Sequence, residues 1–266
     1  MAYGAILGKS TVTQSQLNNA APYNWLDNSD FTNLVAQAGI NGKHGTTTYM
    51  ADRWILLTGT PTYTAGTGVS FNGTIVQNLE FTPTGDVTVI VKTANGYITS
   101  KDSPENINTQ VDYDSASKQV LIDSNGTDTI QWVALYEGNY KDTTKIPTYH
   151  PKGYANELAI CQRYYIRYIN YYKYAMTGIL RNANTAVFPF YFPVAMRIAP
   201  TCEIISSLNL FKVRVTNVAS ITSLSGESSS PLSIQFSAKL SSSYTAGDCA
   251  CLYMDKAATI DFYADL

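Results

Sequence analysis

The sequence predicts an all-β protein: two β-sandwich domains joined by a Pro-rich linker and preceded by a short N-terminal segment. Three observations predict it. Short stretches alternate apolar and polar residues at a period of two, turns rich in Gly, Asn and Pro separate them, and helical patterning is confined to a few brief runs. At 266 residues the chain is near the length of two average domains.

Residues 1–22 form the N-terminal segment. Apolar Tyr3, Ile6 and Leu7 stand among Gly4 and Gly8 there, too few to build a core. The segment lacks the charged start, apolar run and cleavage site of a signal peptide. Ser15 to Asn19 reads as one helical turn, and Asp30 to Ala38 as a short helix behind an Asp30 cap.

The first sandwich is expected over 23–146. Asp86 to Thr93 sets Val87, Val89 and Val91 on one face, and Lys118 to Asp123 and Thr129 to Glu137 read likewise as strands. Asn72-Gly73, Asn95-Gly96 and Asn125-Gly126 supply the positive backbone angles of tight hairpins. Pro147 and Pro151 mark a semi-rigid spacer over 147–155. The second sandwich is expected over 156–266. It opens on a helical turn, Asn156 to Gln162, and its strands include Leu232 to Leu240 and Ala258 to Leu266.

Charged residues make up 14% of the chain, against roughly 25% in ordinary soluble domains. Twenty tyrosines and many hydroxyl and amide side chains take their place. Such a surface suits a protein that binds neutral polar ligands, or one that packs into homo-oligomers. Up to Pro151, 8 Lys or Arg face 13 Asp or Glu; beyond it 10 face 7, together the 18 and 20 of the whole chain. Neither half has a basic stripe, so no nucleic-acid partner is expected. No apolar run reaches the roughly 20 residues of a membrane span, so no membrane insertion is expected either.

The four cysteines, Cys161, Cys202, Cys249 and Cys251, read as buried free thiols, with Cys249 and Cys251 on one face of a strand. No metal and no cofactor is expected. Asp27, Asn28 and Asp30 have the oxygen side chains a calcium ion takes, but a turn or helix cap uses the same residues. Arg53, beside the core candidate Trp54, either meets a sugar or a partner chain or ties down its loop. There is no G-x-S-x-G elbow, neither His44 nor His150 lies in a catalytic pattern, and no enzyme is expected.

The densest aromatic stretch is Arg163 to Tyr174. Strand alternation leaves neither of its faces purely polar, which fits core and subunit contact. A tyrosine also stacks on a sugar with its ring and hydrogen-bonds with its tip. Tyr171, Tyr172 and Tyr174 are the ligand-binding candidates.

Several stretches carry a resemblance. Tyr3-Gly4-Ala5-Ile6-Leu7-Gly8 resembles the opening of tail-fibre proteins from phages and prophages of Gram-positive bacteria. Asn24 to Phe31 is similar to the first strand of their jelly-roll module, which is related to a class of carbohydrate-binding modules. Tyr49 to Trp54 and Trp132 to Gly138 fit the same module. Glu157 to Tyr165, Phe192 to Thr201 and Tyr263 to Leu266 resemble their C-terminal lectin-like domain. The family's opening motif often continues into a longer Pro-rich stretch, which this chain lacks.

The resemblance implies a virion protein assembled in the cytoplasm of a bacterial host. It implies a homotrimer whose partners are other tail, baseplate or capsid proteins. Tyr3, Gly4, Ile6, Leu7 and Gly8 would attach it to the particle, and a host cell-surface polysaccharide would be its receptor. Two functions follow: a tail-fibre or receptor-binding subunit mediating adsorption, or a purely structural component such as a head fibre, neck or baseplate appendage.

Overall fold

The computed structural model describes residues 22–101, 108–170, 173–254 and 256–265. The protein is nearly all β, with sheets packed in layers and a single α-helix among the described residues.

Among the described residues the first half holds eleven strands. They are β1 (Lys43–His44), β2 (Thr47–Ala51), β3 (Trp54–Gly59), β4 (Thr62–Thr64), β5 (Gly68–Ser70) and β6 (Asn72–Asn78). Next come β7 (Val87–Thr93), β8 (Gly96–Thr99), β9 (Thr109–Asp114), β10 (Gln119–Asn125) and β11 (Ile130–Glu137). One sheet has the order β1-β2-β3-β6-β10-β9 and the other β4-β5-β11-β7-β8, both antiparallel. The two sheets enclose Ile75, Val120 and Ile122 from one side and Val89, Val91, Val133 and Leu135 from the other. Trp54 is fully buried, edge-on to Phe31 at 5.2 Å, and its indole N–H donates to the Asn28 carbonyl at 2.9 Å.

Helix α1 (Tyr154–Cys161) leads into the second half. Its strands are β12 (Tyr165–Asn170), β13 (Lys173–Asn182), β14 (Thr185–Tyr191), β15 (Thr201–Ile204) and β16 (Phe211–Arg214). They continue as β17 (Val218–Ser229), β18 (Ser233–Leu240), β19 (Cys249–Met254) and β20 (Ala258–Tyr263). Strands β13-β14-β18-β17-β16-β19 close into a ring, and β12-β20-β15 form a separate sheet. Ala258, Ile260 and Phe262 of that sheet share one core with Phe188, Phe211 and Phe236 of the ring. Phenylalanine supplies the bulk: Phe190 stacks on Phe262 at 5.2 Å, and Phe192 meets it edge-on at 5.1 Å.

Several expectations are corrected. Asp30 to Ala38 is a run of turns, because the Asp30 carboxylate accepts from both the backbone and hydroxyl of Thr32 and closes a local turn. Asn24 to Phe31 is not a regular strand; a single bridge joins Asp30 to Trp132, and the Asn24 side chain caps Leu26 and Leu135. Of the three Asn-Gly pairs only Asn95-Gly96 turns a hairpin, between β7 and β8. Asn72-Gly73 lies inside β6, where Gly73 lets the Thr58 carbonyl of β3 approach closer than a Cβ would allow. Asn125-Gly126 leaves β10 for β11, which belongs to the other sheet, so the pair carries a crossover. The helical turn expected at Ser15 to Asn19 lies outside the described residues.

The stretch expected to act as a spacer is packed instead. Tyr149 stacks on Trp132 at 4.5 Å, and together with Ile146 and Tyr140 it covers Ile90, Ala134 and Tyr136 on the outer face of the five-stranded sheet. The Lys152 ammonium donates to the Leu26 carbonyl at 2.8 Å. An aromatic residue beside the two prolines makes this segment a cover for apolar surface rather than a free tether.

Candidate functional site

The Arg163 to Tyr174 stretch is not one strand. β12 belongs to the small sheet and β13 to the ring, so their side chains serve different surroundings. Tyr164 and Tyr165 are buried, Tyr168 packs edge-on to Phe190, and Tyr174 reaches the outside. Tyr171 and Tyr172 lie outside the described residues, as do Tyr3, Gly4, Ile6, Leu7 and Gly8.

Tyr174 is 51% exposed on the outer face of the ring. In register it stands opposite Tyr253 of β19, with the ring centroids 5.8 Å apart and tilted by 58°. Arg214 of β16 donates to the Tyr174 hydroxyl and holds its guanidinium 5.9 Å from the ring. Tyr174, Tyr253 and Arg214 point outward while Met176, Leu252 and Val213 point into the core. Alternation accounts for β16 and β19, and in β13 a bulge between Tyr174 and Met176 resets the side chains so that Tyr174 faces out. The arrangement offers a ring face, a phenol oxygen and a cation within one patch. Further along the same face lie exposed Ile179 and Pro189, beside half-buried Val187. Cys249 and Cys251 share one face of β19, as expected, but that face is the outer one. Cys249 is exposed and Cys251 half-buried, so of the four thiols expected to be buried only Cys161 is fully so.

The remaining motif residues are engaged in architecture. Arg53 adopts a left-handed backbone (φ 73°), donates from Nε to Asp27 at 3.2 Å and from Nη2 to the Asn78 carbonyl at 2.8 Å. Its guanidinium lies 3.6 Å over the Tyr164 ring. The Asn28 amide is spent on the backbone of Val35 and Asp52. Among the described residues no three His, Cys, Asp or Glu side chains gather as a metal-ligand set. Burial pushes the Cys161 thiol up, and the Cys202 thiol up to about 12, so neither forms a thiolate near neutral pH.

Sequence reasoning missed the junction between the halves. The buried His44 ring is stacked between Tyr49 of the first half at 3.9 Å and Tyr165 of the second at 3.6 Å. Its Nδ1 lies 3.3 Å from the Asp265 carboxylate and its Nε2 lies 4.0 Å from Asp52. Gln37 donates through its side chain to Asp52 and to the Tyr165 carbonyl, each at 2.7 Å. Arg167 pairs with the buried Asp261 at 2.6 Å and also reaches the Ala38 carbonyl. Glu157 of α1 accepts from the Asn28 backbone N–H at 2.7 Å. No local pattern marks His44 for this position, because every one of its second-half partners is distant in sequence.

No family model, no curated protein and no solved structure matches the chain.

Proposed function

We propose that the protein is a particle subunit of tail-fibre type that binds a neutral or weakly acidic cell-surface polysaccharide, and that it works as a homotrimer. The observation that carries this reading is the Tyr174, Tyr253 and Arg214 patch, solvent-facing on a strand-built and hence rigid surface. A sugar presents an apolar C–H face and a rim of hydroxyls, which suit a tyrosine ring flanked by a phenol oxygen and a guanidinium. The net-positive second half suits a weakly acidic glycan. Each site would be weak, since ordering costs offset most of the gain, and three sites on one trimer would raise avidity by ~10² or more.

Binding rather than catalysis fits the surroundings of His44. His44 is enclosed by Tyr49, Tyr165, Asp52 and Asp265, a setting of rings and carboxylates that supplies no nucleophile for it to activate.

The test is adsorption to host cells by particles carrying Tyr174→Ala, after light scattering confirms the assembly state. Loss of adsorption with assembly intact is the expected result. Normal adsorption, or binding that survives stripping of surface glycans, would transfer the assignment to the purely structural component. One observation favours that second reading: exposed Ile179 and Tyr191 on the same outer face suit contact with another subunit. A monomer of 29.1 kDa at micromolar concentration would remove the trimer from either reading.

A further inference from the structure

The cleft where the first half meets the end of α1 is built from three segments that the Tyr174 patch does not touch. Tyr23 and Asp27 come from the run before β1, Glu80 and Phe81 from the loop after β6, and Arg163 and Tyr164 from the turn after α1. The buried Arg53 side chain lies in its floor.

Two features of this cleft point to a ligand. Its rim holds two aromatic rings left to water, Tyr23 at 66% and Phe81 at 63% exposure. Its floor holds charges of both signs, each fixed in place. Arg163 donates to Glu80 through Nη1 at 3.1 Å and Nη2 at 3.2 Å, and the Tyr164 hydroxyl donates to the same carboxylate at 2.8 Å. Burial alone would raise the Glu80 carboxyl, but the hydrogen bonds from Tyr164 and Arg163 outweigh it and hold the group below its usual range. Asp27 is braced between Arg53 at 3.2 Å and Lys152 at 3.4 Å.

The floor is incompletely used. A guanidinium has five N–H donors and an ionised carboxylate about four acceptor sites. Arg163 spends two donors on Glu80, and Glu80 accepts three bonds. An anionic ligand would meet Glu80 and Asp27, and a cationic one would meet Arg53 and Arg163. The neighbouring charges therefore select a neutral ligand with both donors and acceptors, and the rings select one with an apolar face. A sugar residue satisfies both conditions.

We infer that this cleft is a second saccharide site, taking one neutral pyranose residue with its C–H face against Phe81 or Tyr23 and its hydroxyls on Glu80 and Arg163. The ligand class rests on the sugar-binding reading above, while the site is separate from the Tyr174 patch.

Saturation-transfer NMR on the full chain with methyl glycosides of neutral hexoses and N-acetylhexosamines tests the inference. At least one glycoside should receive transfer, with affinity falling roughly tenfold in Phe81→Ala and in Glu80→Gln and staying unchanged in Leu232→Ala, an exposed residue outside both sites. Near-UV circular dichroism checks each fold, and Phe81→Ala carries the test if Glu80→Gln disturbs Arg163, because Phe81 is mostly exposed. Transfer abolished by Tyr174→Ala but untouched by both cleft variants would overturn the cleft and leave the first site standing. No transfer from any glycoside at ~10 mM would overturn the cleft as well. Glycoside binding lost only in the cleft variants, together with normal adsorption by Tyr174→Ala particles, would uphold the cleft and sink the first site.

Discussion

The two halves solve the same problem, a sheet with edges and one apolar face, by different means. The first uses two open sheets and fills the gap with aliphatic residues around one tryptophan. It then covers the outer face of one sheet with its own connecting segment, through Tyr149 on Trp132. The second closes six strands on themselves, which removes the edges of that sheet, and fills the interior with phenylalanines. The lesson is where free surface remains. The first half covers one sheet face yet leaves Tyr23 and Phe81 of its loops outside, whereas the ring of the second half needs no such cover and leaves Tyr174 and Ile179 of its strands outside.

The largest expected effect tests whether the halves are energetically one body. Trp54→Ala should cost about 3–5 kcal/mol. Because His44, Gln37 and Glu80 bond across the junction, the whole chain should melt earlier in one transition by scanning calorimetry. A second transition left in place would mean that the halves unfold independently.

The junction also has a pH signature. Burial pushes the Asp52 carboxyl up to about 6, against hydrogen bonds from Gln37 that act the other way. Its folded value thus lies above its unfolded value of 3.8. The cost of its charge is fully present above pH 6 and fades as pH falls toward 4. Relative to Asp52→Asn, the wild type should gain about 2–3 kcal/mol between pH 7 and pH 4 in urea titrations. A constant difference across that range would show that Asp52 carries no such penalty.

A smaller effect belongs to the ring. A Cβ on Gly178 would strike the Val187 carbonyl of the neighbouring strand, so Gly178→Ala should cost about 1–3 kcal/mol. If the closed ring is the more self-sufficient half, hydrogen exchange should quicken mainly in β13 and β14. The smallest effect is at the exposed patch, where Tyr174→Ala should change stability by less than about 0.5 kcal/mol. A larger loss would mean that the patch serves folding rather than recognition.

Much of this fold was legible where the signal is local. The alternation of Val87, Val89 and Val91 gave β7 nearly to the residue, and Leu232 to Leu240 gave β18. Helix α1 was placed within two residues at its start and one at its end. The failures share a cause. Asn-Gly marks a positive backbone angle, but whether that angle turns a hairpin, carries a crossover or admits a neighbouring carbonyl is decided by distant strands, as Asn125-Gly126 and Asn72-Gly73 demonstrate. Tyr174 was legible only as one of a dense run of tyrosines, because the bulge between Tyr174 and Met176 that turns it outward is set by pairing with β19. His44 and the Glu80 to Arg163 pair were not, because their meaning exists only once segments far apart in sequence have met.

The His44 to Asp265 contact spans 221 positions. A ribosome delivers the first half of the protein well before the second, at roughly 5–20 residues per second, so the His44 side of the junction stands bare for several seconds at least. What waits there is an imidazole, a carboxylate, an amide and a guanidinium rather than a leucine-rich face. Water satisfies these groups until Tyr165 and Asp265 arrive. A half-made chain therefore shows its neighbours, beside the Tyr49 ring, mainly groups that water can satisfy.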